Sequence, residues 1–414
     1  MLSYRPAERP GDKHICREAL NRLPTAKKKI RLMKRSVFAA LAALGIIAGC
    51  HKTEPQKDIL EVDDTEKVAV QLGISAPGID IVSKGSGPVD AWDSQELYII
   101  GAKKNTAYDS DGAFLIDNIA ITAPSSGIED FQIVRPAGDQ YAGTPYFYKE
   151  NTLYEFYGYY VDDAAIPETD LAKTAGNVSI ALEIDGSQDI MAAKADPKYD
   201  LVNSDYELSS DLKETDIYSA YAARRSVQPT LTFKHLLTRF QFFVVDGNRG
   251  HAEHPVEVTA IEMDSYKEAR MQIAPTPMIT ASGNRTMLSL EGLLKEDGDG
   301  MTPATDYTSP SEPGSSKTDY SLMLYAGESS HKIKISLKFA DDNNTQAIEP
   351  MEFDLNASTI VTSTGVSAGV SRFEAGKQYN IVLIVYGPEE IKISAMLEGW
   401  KDGGSSVIDP DEMV

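Results

Sequence analysis

Beyond about residue 58, hydrophobic and polar positions alternate with period two wherever order is expected. Val68, Val70, Leu72 and Ile74 share one face, as do Val178, Ile180, Leu182 and Ile184. Ile333, Ile335, Leu337 and Phe339 alternate with Lys332, Lys334 and Lys338, and Ile391, Ile393, Ala395 and Leu397 repeat the pattern near the end. Successive side chains of an extended strand point to opposite faces, so each run predicts a strand with one buried side. Breaks such as Ala76-Pro77-Gly78 and Gly387-Pro388 separate the runs. Helical periodicity is confined to two short candidates, 211–222 and 288–295. The expectation is an all-β fold of two tandem β-sandwich domains. The domain break is expected between about Leu208 and Gln228, giving an N-terminal sandwich at 58–210 and a C-terminal one at 225–414 with a short acidic tail. The loop 297–317, rich in Gly, Ser, Thr and Pro, lies inside the second block.

Two stretches combine strand character with polar or aromatic crowding. In FKHLLTRFQFFVV (233–245), Phe233 and His235 alternate with Lys234, the pattern breaks over Leu236 to Arg239, and Phe240, Phe242 and Val244 restart it. A strand, a kink and a second strand would write this, with His235 a structural hydrogen bonder at the kink and Arg239 its solvent-facing neighbour. In the segment 148–163, alternation puts Tyr154, Phe156 and Tyr160 on one face and Tyr157 and Tyr159 on the other. The reading preferred is a central strand covered on both faces, since aromatics are ordinary strand residues; the other reading is an aromatic platform for sugar.

The N-terminal region changes the picture of where the protein lives. Lys34 and Arg35 precede an apolar run from Val37 to Ala48, which ends Ile47-Ala48-Gly49-Cys50. A basic start, a run of about a dozen apolar residues and small residues before a Cys form, in that order, a lipoprotein export signal; the run is short for a membrane span. Residues 33–49 are thus expected to be a signal peptide starting at Met33, with 1–32 an upstream extension or mis-assigned start. Cys50 becomes the lipid-attachment site and 50–57 a short polar tether. His51 stands where Asp would favour inner-membrane retention, which points to the outer membrane. The 414-residue chain carries 40 basic and 62 acidic residues; removing the 11 and 3 that fall in 1–49 leaves 29 and 59, a net of −30. Such a surface repels nucleic acid and anionic lipid, so no nucleic-acid partner is expected and membrane attachment must be covalent. Cys16 and Cys50 are the only cysteines, leaving the processed chain without a disulfide.

Candidate chemistry is thin. Gly365-Val366-Ser367-Ala368-Gly369 fits a nucleophile elbow, but that motif needs a following helix and a later His, and the last His is His331. His251 and His254 share a metal-like spacing, yet they follow a turn sequence and no third ligand is evident. Asp297-Gly298-Asp299-Gly300 and Asp109-Ser110-Asp111-Gly112 start like calcium loops but lack the ligands that should follow. These read as loop histidines and acidic turns. Neither a cofactor nor a metal is expected, and the chain is not read as an enzyme.

Three marks then occur in order: Gln188-Asp189-Ile190-Met191-Ala192, the Phe-x-His-Leu stretch at 233–239, and the block FEAGKQYNIVLIVYGPEEIKISAMLEGW from Phe373 to Trp400. With the lipid-site Cys50 and the Trp-Asp-Ser at Trp92, the chain resembles the fimbrillin family, the lipoprotein pilins of Bacteroidetes-type (type V) pili. The resemblance implies β-sandwiches of transthyretin-like Greek-key type, export to the cell surface, and assembly with other pilin subunits by strand exchange. A trypsin-like protease removes the first strand of such proteins, and a strand from the next subunit fills the groove. Here Val68 to Ile74 is the natural removable strand. The family usually offers an Arg for the cut. None occurs between Cys50 and Arg135, so Lys84 is the candidate processing site, the alternative being an exposed loop lysine. The tail after Trp400 has only Val407, Ile408, Met413 and Val414 as large apolar residues, interrupted by Pro410, which suits a donor strand poorly.

The functional expectation is therefore a surface-exposed, lipid-anchored structural or adhesive pilus component, a tip, accessory or anchor subunit in preference to a stalk one. Host or bacterial surface ligands are further candidate partners. The rival is a glycan-binding outer-membrane lipoprotein for nutrient capture, which requires Tyr157 and Tyr159 to be exposed.

Overall fold

The computed structural model describes residues 66–75, 92, 94–123, 128–162, 171–203, 213–250, 254–290, 294–295, 300–341, 346–361 and 367–399. Cys50, Lys84, His251, Asp297, Asp299 and Trp400 lie outside them, as does the tail 401–414. Among the described residues the regular secondary structure is nearly all strand, as the period-two pattern requires. Strands are numbered in chain order.

A three-stranded sheet has the order β4 (Ile128–Gln132), β1 (Gln71–Ser75), β9 (Thr230–Thr232). A five-stranded sheet runs β10 (Lys234–His235), β8 (Ile190–Lys194), β5 (Tyr154–Val161), β2 (Glu96–Lys103), β3 (Phe114–Thr122). These two sheets enclose one core. Val70, Leu72, Ile74 and Leu231 from the first share it with Phe156, Tyr154 and Tyr160 from the second and with Phe233. Trp92 closes it, edge-on to Phe233 at 5.2 Å. Gly158 in β5 makes room for this arrangement, because a side chain there would begin 2.6 Å from Phe233 Cζ.

A second core lies between two further sheets. One has the order β14 (Leu322–Tyr325), β11 (Leu237–Asp246), β17 (Lys377–Gly387), β18 (Glu390–Gly399). The other contains β16 (Met351–Asn356), β15 (Ser330–Phe339), β12 (Val256–Ala274), β7 (Val178–Glu183) and β6 (Ala172–Lys173), with β13 (Met278–Ser289) also on β12. Phe240, Phe242, Leu383, Ile333, Ile335 and Met271 belong to this core. So do Tyr157 and Tyr159 from β5. That strand is thus covered on both faces, and the division of its aromatics matches the alternation of the sequence.

Pairing crosses the expected break at 210 to 225 in both directions. β7 precedes it and pairs with β12, while β9 and β10 follow it and pair with β1 and β8. Alternation specifies which face of a strand is buried but not its neighbour, so these partners are not readable from the pattern. The two helical candidates differ in outcome. A single turn, α2 (Ala220–Ala223), falls at the end of 211–222, capped by Ser219. Residues 288–289 end β13, a correction to the second candidate. The helix α1 (Pro197–Asn203) was not expected; two turns are too short to show a period.

Candidate functional site

β1 is held from both edges. It pairs antiparallel with β4 and parallel with β9, so it is the middle strand of its sheet. The preceding residues extend the pairing: Val70 N–H donates to the Tyr146 carbonyl at 2.8 Å, and Tyr148 N–H to the Val68 carbonyl at 3.1 Å. On the other side Gly73 N–H donates to the Pro229 carbonyl at 2.9 Å. The side-chain oxygen of Gln228 accepts from Gln71 N–H at 3.4 Å and from the Tyr148 hydroxyl at 3.2 Å. Val70 and Leu72 are fully buried and Ile74 nearly so. Each such side chain contributes about 1.5–3 kcal/mol through burial. Together these features hold β1 in a slot by its backbone on both edges and by its alternate apolar side chains.

The wall formed by β9 is braced from behind. The Asp200 carboxylate, on α1, accepts from Thr230 N–H at 3.0 Å and from the Tyr218 hydroxyl. Burial pushes the Asp200 carboxyl above its ordinary value, opposed by those two hydrogen bonds. Thr230 stands directly opposite Gly73, and a Cβ on Gly73 would lie 2.9 Å from Thr230 Oγ1. Across the strand, the register with β4 shifts between Leu72 and Ile74. None of Thr230, Gln228 and Asp200 stands out in the sequence. The available signal is Gly73 itself, a lone glycine within an apolar alternation, which often marks a close backbone approach.

The kink at 233–239 is where the chain leaves one sandwich for the other: β10 lies in the five-stranded sheet and β11 in the four-stranded one. His235 Nδ1 stands 2.9 Å and 3.0 Å from the two carboxylate oxygens of Asp189, with both side chains fully buried. Leu236 N–H adds a bond to the Ile190 carbonyl at 2.8 Å. Two of the three sequence marks therefore meet. The third joins the same corner through Gly376 N–H, which donates to the Leu237 carbonyl at 2.9 Å. His235 is the structural hydrogen bonder expected. Arg239 is not solvent-facing as expected: it is half-buried, and its Nε donates to Ser321 Oγ at 3.1 Å. Packing of β11 beside β14 covers it.

The other candidates are separate from this region. Ser367 is exposed, bridges to Val361, and is followed in the described residues by β17 and β18. His254 meets the edge of Phe339 at 6.5 Å. Asp109 and Asp111 are exposed in the turn before β3. His331, by contrast, is buried against Phe240 and Phe373, and its Nδ1–H donates to the Asp264 carbonyl at 2.7 Å. Burial, helped by the Arg285 charge, pushes it down to about 4. No group of three or more metal-ligating side chains occurs among the described residues, and no helix there is long and apolar enough to cross a membrane.

Solved structures resemble this chain at low identity. A fimbrial protein from Bacteroides vulgatus is 12% identical, with 81% of this chain and 100% of that one covered and a TM-score of 0.42. A fimbrilin from Porphyromonas gingivalis is 10% identical, covering 82% and 99% with a TM-score of 0.38. The fimbrial anchor protein of the same organism is 12% identical, covering 82% and 100% with a TM-score of 0.33. No curated protein matches in sequence. A family profile described as fimbrillin-like matches residues 89–400. That span takes in β2 through β18, the second core, all three marks and the first core apart from Val70, Leu72 and Ile74, with β1 lying before it, and on it the chain belongs to the fimbrillin-like family.

Proposed function

We propose that this chain is a surface-exposed, outer-membrane lipoprotein of the fimbrillin type. It is anchored through lipid on Cys50 and serves as a structural or adhesive component of a pilus. It joins other subunits by β-strand exchange at the place held by β1. The observation that carries the reading is the double-edged pairing of β1. Withdrawal of that strand would leave two rows of unpaired backbone groups and an apolar slot, the arrangement that binds an added strand. The sequence between β1 and Trp92 includes Lys84, the proposed cut; a chain cut there loses Cys50 with β1, so the lipid anchor belongs to the uncut chain and the opened slot to the cut one. The Pro410-interrupted tail favours a tip, accessory or anchor subunit over a stalk one.

The glycan-capture reading loses its main support, because Tyr157 and Tyr159 are 0% and 1% exposed. An open depression of about 690 Å³ over β7, β12 and β13 is lined by Ser179, Glu183, Arg270, Gln272 and others, none of them aromatic.

The test is to isolate the protein from its native cell surface and sequence its N-terminus by mass spectrometry. Lipidated Cys50 within surface polymers supports an anchor, and a start at Gly85 supports a strand-exchanging subunit. A Cys50→Ala chain should leave the membrane fraction. Recovery of unlipidated, uncut monomer from wild-type cells would sink the proposal.

A further inference from the structure

Backbone pairing and alternation do not by themselves fix how an incoming strand sits in a slot. A one-residue slip turns the apolar side chains outward and is rejected. A two-residue slip keeps every apolar residue facing in and is nearly degenerate. The slot at β1 has a feature that removes this degeneracy. Gly73 and Thr230 are parallel-paired neighbours, so their side-chain positions lie on the same outer face. A Cβ at position 73 would stand 2.9 Å from Thr230 Oγ1, 3.1 Å from its Cγ2 and 3.3 Å from its Cβ. Rotating the threonine moves both branches but leaves its Cβ at 3.3 Å, a contact that still requires one of the two strands to give by a few tenths of an ångström.

Nor can the wall retreat easily. Thr230 N–H is bonded to the buried Asp200, and the Pro229 carbonyl receives Gly73 N–H. On the opposite edge, Leu72 pairs with Phe131 but Ile74 with Ile128, so β4 carries its extra residue opposite Gly73. Slipping β1 by two residues would bring Gln71 or Ser75, each with a side chain, against Thr230.

We propose that Thr230 sets the register of strand exchange by admitting only glycine opposite itself. The partner class is then an extended segment of another subunit reading large apolar, any residue, large apolar, glycine, large apolar, as Val70-Gln71-Leu72-Gly73-Ile74 does here. This inference rests on the strand-exchange reading. The chain's own residues 401–414 contain Gly403 and Gly404 but no glycine between large apolar residues, so a second copy's tail is not the expected occupant.

Two measurements test it. In the intact chain, Gly73→Ala should be destabilising and Thr230→Ala should suppress most of that loss; strict additivity would mean the contact is not felt. For exchange, a specific protease site is placed at Lys84, the folded chain is cut, and labelled peptides spanning residues 66–76 are offered. The wild-type peptide should be taken up, and the Gly73→Ala peptide should bind at least about tenfold more weakly. On a Thr230→Ala acceptor the two should bind alike. Equal uptake by the wild-type acceptor would overturn the register rule and leave strand exchange standing. Uptake of neither peptide by a cut, folded acceptor would overturn strand exchange itself, and the donor rule with it.

Discussion

Two buried histidines serve the fold differently, and each predicts a measurement. His331 sits near 4 in the folded protein against an ordinary 6.5, chiefly through burial. A base whose folded value is depressed contributes its full stability above the unfolded value and loses it as the pH falls. The window here runs from about 6.5 down to about 4. The loss across it should be about 3 kcal/mol, since each tenfold change in proton affinity is worth roughly 1.4 kcal/mol. Urea unfolding of wild-type and His331→Gln protein at pH 7 and pH 4.5 should show the wild type losing more, by most of that amount. Asp200 acts in the other direction: its raised value means its contribution is present at low pH and lost as the pH rises through the folded value. Asp200→Asn should therefore gain on the wild type as the pH climbs above the ordinary carboxylate range. His235 is predicted to matter through its partner. Removing either His235 or Asp189 takes this hydrogen bond from the other in a fully buried site and should cost about 3 kcal/mol. The double alanine variant should cost less than the sum of the singles, which a double-mutant cycle by chemical denaturation would show.

At the scale of the element, the legible part of the fold was the face and the illegible part was the neighbour. The strands at 178–183, 330–339 and 154–161 were all written in alternation, down to which tyrosines face which core. The kink at Leu236 was legible too, because it interrupts that alternation between β10 and β11. What alternation cannot carry is long-range pairing. Nothing local says that β1 adjoins Thr230, some 157 positions later, or that Asp189 meets His235. The slot around β1 was half readable for the same reason: its apolar side chains and the lone Gly73 were visible, its backbone partners and the Thr230 that faces the glycine were not. The strand itself makes the next prediction. Leu72 is fully buried among Phe156, Leu231 and their neighbours, so Leu72→Ala should cost about 3 kcal/mol, read from the shift in urea midpoint. The exposed Tyr141, at 57%, changed to Ala should cost a few tenths at most.

At the scale of the whole molecule, the two sandwiches share strands and hence share their stability. β12 is 19 residues long, about 60 Å of extended chain. Its residues 262 and 263 pair with both β15 and β13, and residues 268–272 with both β7 and β13. β15 and β7 must therefore lie along the same edge of β12, one from each side of the expected break. β5 contributes to both cores, and the chain from β9 through β11 passes between sheets within a few residues. Melting one core would expose β7, β12 and the far face of β5 in the other. The expectation is one cooperative transition, despite a chain long enough for two independent domains. Trp92 reports the first core alone once Trp400 is changed to Phe. In that background, Trp92 fluorescence and far-ultraviolet circular dichroism should trace the same urea curve. Leu72→Ala in the first core and Phe240→Ala in the second should move both probes together. Two separated transitions, with Trp92 following only the Leu72 variant, would show that the shared strands do not couple the cores. Strand withdrawal at β1 would then be a local event in one sandwich, whereas coupled cores make it a load carried by the entire fold.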